Sequence, residues 1–277
     1  MRVRTWVLAV AAAVALGVSS LTLAGDVSGT AKLDGPAPEA KPIDMSGVEQ
    51  CNALHPDPVM EESVVANDKS MLANVVVAVK KEDSPDLTGE QPKEAAMIDQ
   101  EGCMYKPHVL AMMGGQDLLI KNSDNFLHNI HSLSEKNPSF NIPQPNKNDG
   151  QKVDAPKVPE YFHVKCDVHP WMSCYIAVFD HPFFGVSDKD GKWTIKNLPD
   201  GDYTLVAWHE KLGTQEKKVT IKDGKPAEAI EFTFKPEGAM GPDVQDVILA
   251  SSSGDKDKGT CPACCAAPSK AAAIAGK

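Results

Sequence analysis

Basic residues are the minority charge in this 277-residue chain: 28 Lys and Arg face 38 Asp and Glu, for a formal net charge of −10. A surface of that sign repels phosphate, which argues against nucleic acid as a partner and disfavours anionic lipid. Catalytic signatures are lacking as well. No Ser/His/Asp nucleophile arrangement, phosphate loop or paired-carboxylate motif stands out, and the chain does not read as an enzyme. After Ala24 there is no apolar run long enough to span a bilayer.

Residues 1–24 differ from the rest. Arg2 and Arg4 precede a run of Val, Ala and Leu that closes on Leu21-Thr22-Leu23-Ala24, the pattern of a secretory signal peptide. A retained membrane helix is the alternative. No Cys follows closely enough for lipidation at a new amino terminus. The remaining chain is therefore expected to be exported, periplasmic or secreted, without a membrane span. Loss of Arg2 and Arg4 makes it more acidic still, a balance that would steer a basic partner toward it or simply keep it soluble.

An oxidising compartment permits disulfides. Of seven cysteines, Cys51 and Cys103 flank the first strand region and are the expected pair. Cys174 should be a buried free thiol, two strand positions beyond Met172. Cys261, Cys264 and Cys265 sit in a tail, residues 237–277, whose Ser, Gly, Lys, Asp and Ala content predicts disorder.

Short alternating runs punctuated by Gly, Pro and Asn predict an all-β chain. Strands are expected over Val27 to Lys32, Leu72 to Lys80, Val109 to Met112, Leu118 to Asn122, His128 to Ser132, Tyr161 to Lys165 and Cys174 to Asp180. Ser134 to Pro159, rich in Asn, Pro, Gln and Lys, reads as a surface excursion. Beyond Asp180 the texture becomes a regular meander with Asp190-Gly191 and Asp223-Gly224 hairpin signals.

One segment carries chemistry. Cys166-Asp167-Val168-His169-Pro170-Trp171-Met172 delivers a thiol, an imidazole and a thioether within seven residues. Upstream, the strand from Leu118 runs through a polar turn to His128, which supplies a second imidazole. Cys plus two His with an axial Met is the donor set of blue-copper electron-transfer sites. A disulfide at Cys166 or a zinc site are the competing readings, although a thioether is a poor zinc ligand.

This pattern, C-x-x-H-x-x-M after an upstream His-Asn, resembles the cupredoxins of amicyanin type over roughly residues 74–180. The resemblance implies a Greek-key sandwich holding one type 1 copper through His128, Cys166, His169 and Met172. It further implies that Asn129 ties the His strand to the Cys loop, and that electrons enter over His169 and Trp171. Asp167 departs from the Ser or Thr usual after the Cys; its carboxylate, if ionised, would favour the oxidised metal. Exported redox proteins, such as a cytochrome c or a dehydrogenase or oxidase, are the implied partners. With eight His in all, the further His clusters of a multicopper enzyme are not in view.

Asp190 to Leu205 resembles the carboxypeptidase regulatory-like β-sandwich, a structural module. The expected organisation is thus a leader over 1–24, a cupredoxin-like domain over 25–181, a small β-sandwich lobe over 182–236 and the tail. Val27 to Ala31 also looks like the opening strand of that lobe, so the two units could share strands. A second metal or interface site at His181 and His209 is weighed against a hydrogen-bonded hinge. A non-redox binding or cell-envelope module with a metal-stabilised fold is the alternative function.

Overall fold

In the computed structural model, residues 23–84 and 86–236 are described; most of the expected leader and the whole Cys-containing tail lie outside them. Among the described residues the chain is all-β apart from two short helical turns. Its strands form four sheets, which the side-chain clusters arrange as four stacked layers.

The first layer sets Ala24–Leu33 between Lys192–Pro199 and Ile230–Phe234. The second runs Phe184–Val186, Val76–Val79, Gly201–His209, Gly213–Lys222 and Lys225–Pro226. The third runs Val109–Met113, Ser173–Phe179, Glu160–Lys165, His128–Ser132 and Asn141–Gln144. The fourth runs Tyr105–Lys106, Ala96–Gln100, Leu118–Asn122 and Asn148–Val153.

Side-chain alternation explains the stacking. Val75, Val77 and Val79 face the first layer and pack with Trp193, Phe232 and Phe234, while Val76 and Ala78, with Trp208 of their own sheet, face the third layer and meet Ala177 and Phe179. Val76–Val79 is therefore buried at every position, which is why it reads as a continuous apolar run instead of an alternating one. Ile176 and Val178 turn the other way, into the core shared by layers three and four. Gly29 is required by close approach: a Cβ there would lie 2.2 Å from Trp193 Cζ2. Asp223 and Gly224, both with positive φ, make the two-residue turn between Lys222 and Lys225.

Two expectations change. The boundary after residue 181 does not follow the hydrogen bonding, because Ala24–Leu33 and Val76–Val79 precede it yet pair with Lys192–Pro199 and Gly201–His209. The stretch from Ser134 to Pro159 is not only an excursion, since it contributes Asn141–Gln144 and Asn148–Val153. Each is an edge strand of its sheet and buries few side chains, so neither needs the apolar alternation that marks a central strand. Pro143 is tolerated for the same reason.

Residues 41–62 form a strap over one end of the third and fourth layers. Ile43 N–H bonds to Val59 O at 2.8 Å, Met45 and Cys51 enter the core of those layers, and the helix Glu49–Leu54 carries the disulfide Cys51–Cys103. That pairing is the one expected. Among the described residues, no helix is long and apolar enough to cross a membrane.

Candidate metal centre

His128 begins a central strand of the third layer, and Cys166 follows the neighbouring strand Glu160–Lys165. The segment after Cys166 must turn sharply to re-enter the sheet as Ser173–Phe179. It closes on itself through Cys166 N–H to Met172 O at 3.2 Å and Met172 N–H to His169 O at 2.9 Å. Those bonds fix the ends of the loop and place His169 inside it.

Three donor atoms converge there. His128 Nδ1 lies 2.9 Å from His169 Nδ1, and Cys166 Sγ lies 3.7 Å from the same His169 atom. The ligand atoms of all three fall within 4.8 Å of one another, and all three residues are buried. Met172 is fully buried in the surrounding core. Soft sulfur and imidazole donors on one point suit copper.

The surroundings prepare these groups. His128 Nε2 donates to Asp124 Oδ2 at 2.9 Å, which leaves the Nδ1 lone pair pointing inward, the carboxylate–histidine arrangement found behind metal-binding imidazoles. Burial opposes charge on His128, but Asp124 and Cys166 outweigh it and raise its pKa. Burial likewise pushes the Cys166 thiol up. Hydrogen bonds from His128, His169 and the backbone at Asn129 and Val168 prevail and bring it down to about 6, favouring the thiolate that binds metal.

Asn129 Oδ1 accepts from Asp167 N–H at 2.6 Å and lies 3.3 Å from Cys166 Sγ. Tyr105 Oη donates to Asn129 O at 2.5 Å. Asp167 is exposed and held below the usual carboxylate range by Lys165, His131 and Asn141. Lys165 Nζ at 2.9 Å counters its charge locally, which would weaken its pull on a bound metal, and His131 Nδ1 lies 3.0 Å from it.

Asp124 escaped the sequence reading. It lies in the turn Ser123-Asp124-Asn125, four residues before His128, and that spacing was the available signal. Its carboxylate also accepts from Gly102 N–H and Cys103 N–H, each at 2.9 Å. Gly102 and Cys103 both have positive φ, the conformation that aims successive amides at one anion. Asp124 therefore joins the His128 strand to the disulfide.

Trp171 is half-buried and its Nε1 donates to Cys103 O at 3.0 Å beneath the strap. Met112 is a core residue, and Met113 pairs with Phe179, at the opposite end of that strand from the loop. His169 is only 4% exposed, whereas Val168 at 44% and Leu127 at 43% stand open. Cys174 is a buried free thiol whose pKa burial pushes up. His181 Nε2 donates to Val79 O at 3.0 Å, and His181 Nδ1 accepts from Phe183 N–H at 3.1 Å. Both nitrogens are thus used in a hinge, and no metal-holding group among the described residues contains His181 or His209.

No family model matches the chain, and no curated protein matches it. Solved structures similar to it include the Cu-containing nitrite reductase NirK from Thermus scotoductus SA-01, at 20% identity over 34% of this chain, with a TM-score of 0.29. This chain spans 24% of that enzyme's length. A purple cupredoxin from Nitrosopumilus maritimus is 23% identical over 31% of this chain and 100% of its own, with a TM-score of 0.27. A mutant amicyanin in the Cu(I) state is 18% identical over 32% and 87%, with a TM-score of 0.28. These scores are too low to establish kinship, so the case for the site rests on its own atoms.

Proposed function

We propose that the chain is an exported type 1 copper protein that carries single electrons between redox partners. The observation that supports this most is the convergence of His128 Nδ1, His169 Nδ1 and Cys166 Sγ on a loop that closes against buried Met172. A copper ion held by that set would supply a one-electron centre whose two oxidation states need little rearrangement.

The protein's own part is to hold donors still and keep water out. Asp124 fixes the His128 ring, Asn129 fixes the turn at Asp167, and the two backbone bonds fix the loop. Electrons would enter over His169 and Trp171, with the partner touching the exposed Val168 and Leu127, which flank the buried His169 and His128 in sequence. The acidic surface favours a basic exported partner such as a cytochrome c. The lobe built from layers one and two serves as a rigid scaffold, consistent with its regulatory-like sequence pattern.

The test is copper loading of the purified protein with optical and electron paramagnetic spectra. An intense visible thiolate band that Cys166→Ser abolishes is expected. A colourless, tetragonal Cu(II) signal would overturn the reading.

A further inference from the structure

We propose that a cavity beside the Cys166 loop binds an alkylammonium group, a primary amine carried on an apolar stem. The cavity, of about 680 Å³, opens between the strap, the loop residues Pro170 and Trp171, and Glu210, which follows the strand Gly201–His209. Its walls are acidic. The strap contributes Asp44, Glu61 and Glu62, and Glu210 adds a fourth carboxylate, against the single lysine Lys211. His163 adds no charge, because burial lowers its pKa. Even a doubly protonated His108 would leave the lining negative, so the ligand that fits is a cation.

His108 shows where the charged end belongs. Its side chain is 8% exposed, and Nε2 donates to Glu210 Oε1. Nδ1 is buried without a hydrogen-bond partner and faces Glu62 Oε2 at 3.7 Å, beyond hydrogen-bond range. A buried polar atom left unpaired is costly. One ring nitrogen and one carboxylate oxygen are too few donors to hold a metal ion. An ammonium needs no coordination sphere: it brings three N–H donors of its own, and charge strengthens each bond it gives to a carboxylate. The Glu62 side chain is 40% exposed, so it is free to swing aside and close over the ligand.

The rest of the wall suits an organic cation rather than an inorganic one. Trp171 and Tyr175 line it together with Met104; aromatic faces attract an ammonium, and the thioether and rings accept an alkyl stem. The Trp171 ring lies 5.3 Å from that of His169, centroid to centroid. On the copper reading given above, a cation held against Trp171 would favour the reduced metal. Binding itself does not depend on that reading.

Calorimetric titration of the metal-free protein with n-butylammonium chloride tests this apart from any copper chemistry, with the indole N–H resonance of Trp171 followed in parallel. One saturable equivalent is expected, and the Trp171 resonance should shift along the same curve. 1-Butanol, which keeps the stem and lacks the charge, should bind about tenfold more weakly. Glu62→Gln should weaken the amine about fivefold, and its exposure makes that variant safe for folding. Glu228→Gln, an exposed position outside the cavity, should leave the affinity within about twofold. Displacement of the amine by a basic cytochrome c would identify the ammonium as a partner's lysine, and simultaneous binding would identify it as that of a free amine; either keeps the proposal. Absence of saturable binding, equal binding of 1-butanol, or an affinity unchanged in Glu62→Gln would overturn it.

Discussion

The Asp124 carboxylate receives the Nε2 proton of His128 at 2.9 Å while the opposite nitrogen of that ring faces His169. One side chain therefore sets both the tautomer and the tilt of a donor. Loss of such a support typically costs 10–100-fold in metal affinity. Asp124→Ala is expected to weaken copper binding by about that range, measured by competition with a chelator. Asp124→Asn, which keeps an acceptor but not the charge, should fall between. Equal affinities in all three proteins would remove Asp124 from the site.

Val168 and Leu127 offer the exposed apolar surface nearest the centre, so Val168→Lys should slow electron exchange with a basic cytochrome c by about tenfold at low salt. The visible spectrum should stay the same. Met97, 43% exposed on a strand of the fourth layer, provides the control: Met97→Lys changes net charge identically but should leave the rate within about twofold. Similar slowing in both would assign the effect to overall charge and not to docking at the loop.

The candidate ligands His128, Cys166, His169 and Met172 stand out in the sequence because three crowd into one loop and the fourth opens a recognisable strand; the structure brings His128, Cys166 and His169 together. Most strands were equally legible, since alternation and Asp-Gly turns are local signals. Connectivity was not. Val76–Val79 looks like any fully buried strand, and nothing in its own residues says that it joins Gly201–His209 rather than the metal sheet. Asp124, Glu160 and the His108–Glu210 contact were missed for a related reason: each acts across a large sequence distance or through a backbone partner, and residue type alone does not announce that.

The disulfide Cys51–Cys103 closes a loop with a sequence separation of 52. By loop-closure entropy, its removal should cost about 4 kcal/mol. Sulfur atoms of both cysteines also lie within 4.8 Å of a His169 ring nitrogen, and the Cys103 carbonyl holds Trp171. The double variant Cys51→Ala, Cys103→Ala should therefore unfold at lower urea concentration and release copper faster. Lower stability with an unchanged release rate would mean that the strap supports the fold but not the centre.

Glu160 offers a test of stability away from the metal, because it starts the strand that Cys166 follows. Its buried carboxylate accepts from Ser134 Oγ at 2.5 Å, Glu135 N–H at 2.6 Å, Lys136 N–H at 3.0 Å and Asn137 Nδ2 at 2.8 Å. Burial pushes its pKa up, but these donors prevail and hold it below the ordinary carboxylate value. A carboxylate with a lowered folded pKa contributes its full stability above the unfolded pKa of about 4.3. That contribution disappears as the pH falls through the lower folded value. Glu160→Gln should cost about 2–3 kcal/mol near neutrality, since it removes the charge from several charge-assisted bonds. Below the unfolded pKa the difference between the two proteins should shrink, because the unfolded carboxyl takes up a proton that the native one still resists. Urea unfolding at pH 7 and pH 3 measures it, and a gap that stays constant would show that the four donors recognise the shape of the side chain and not its charge.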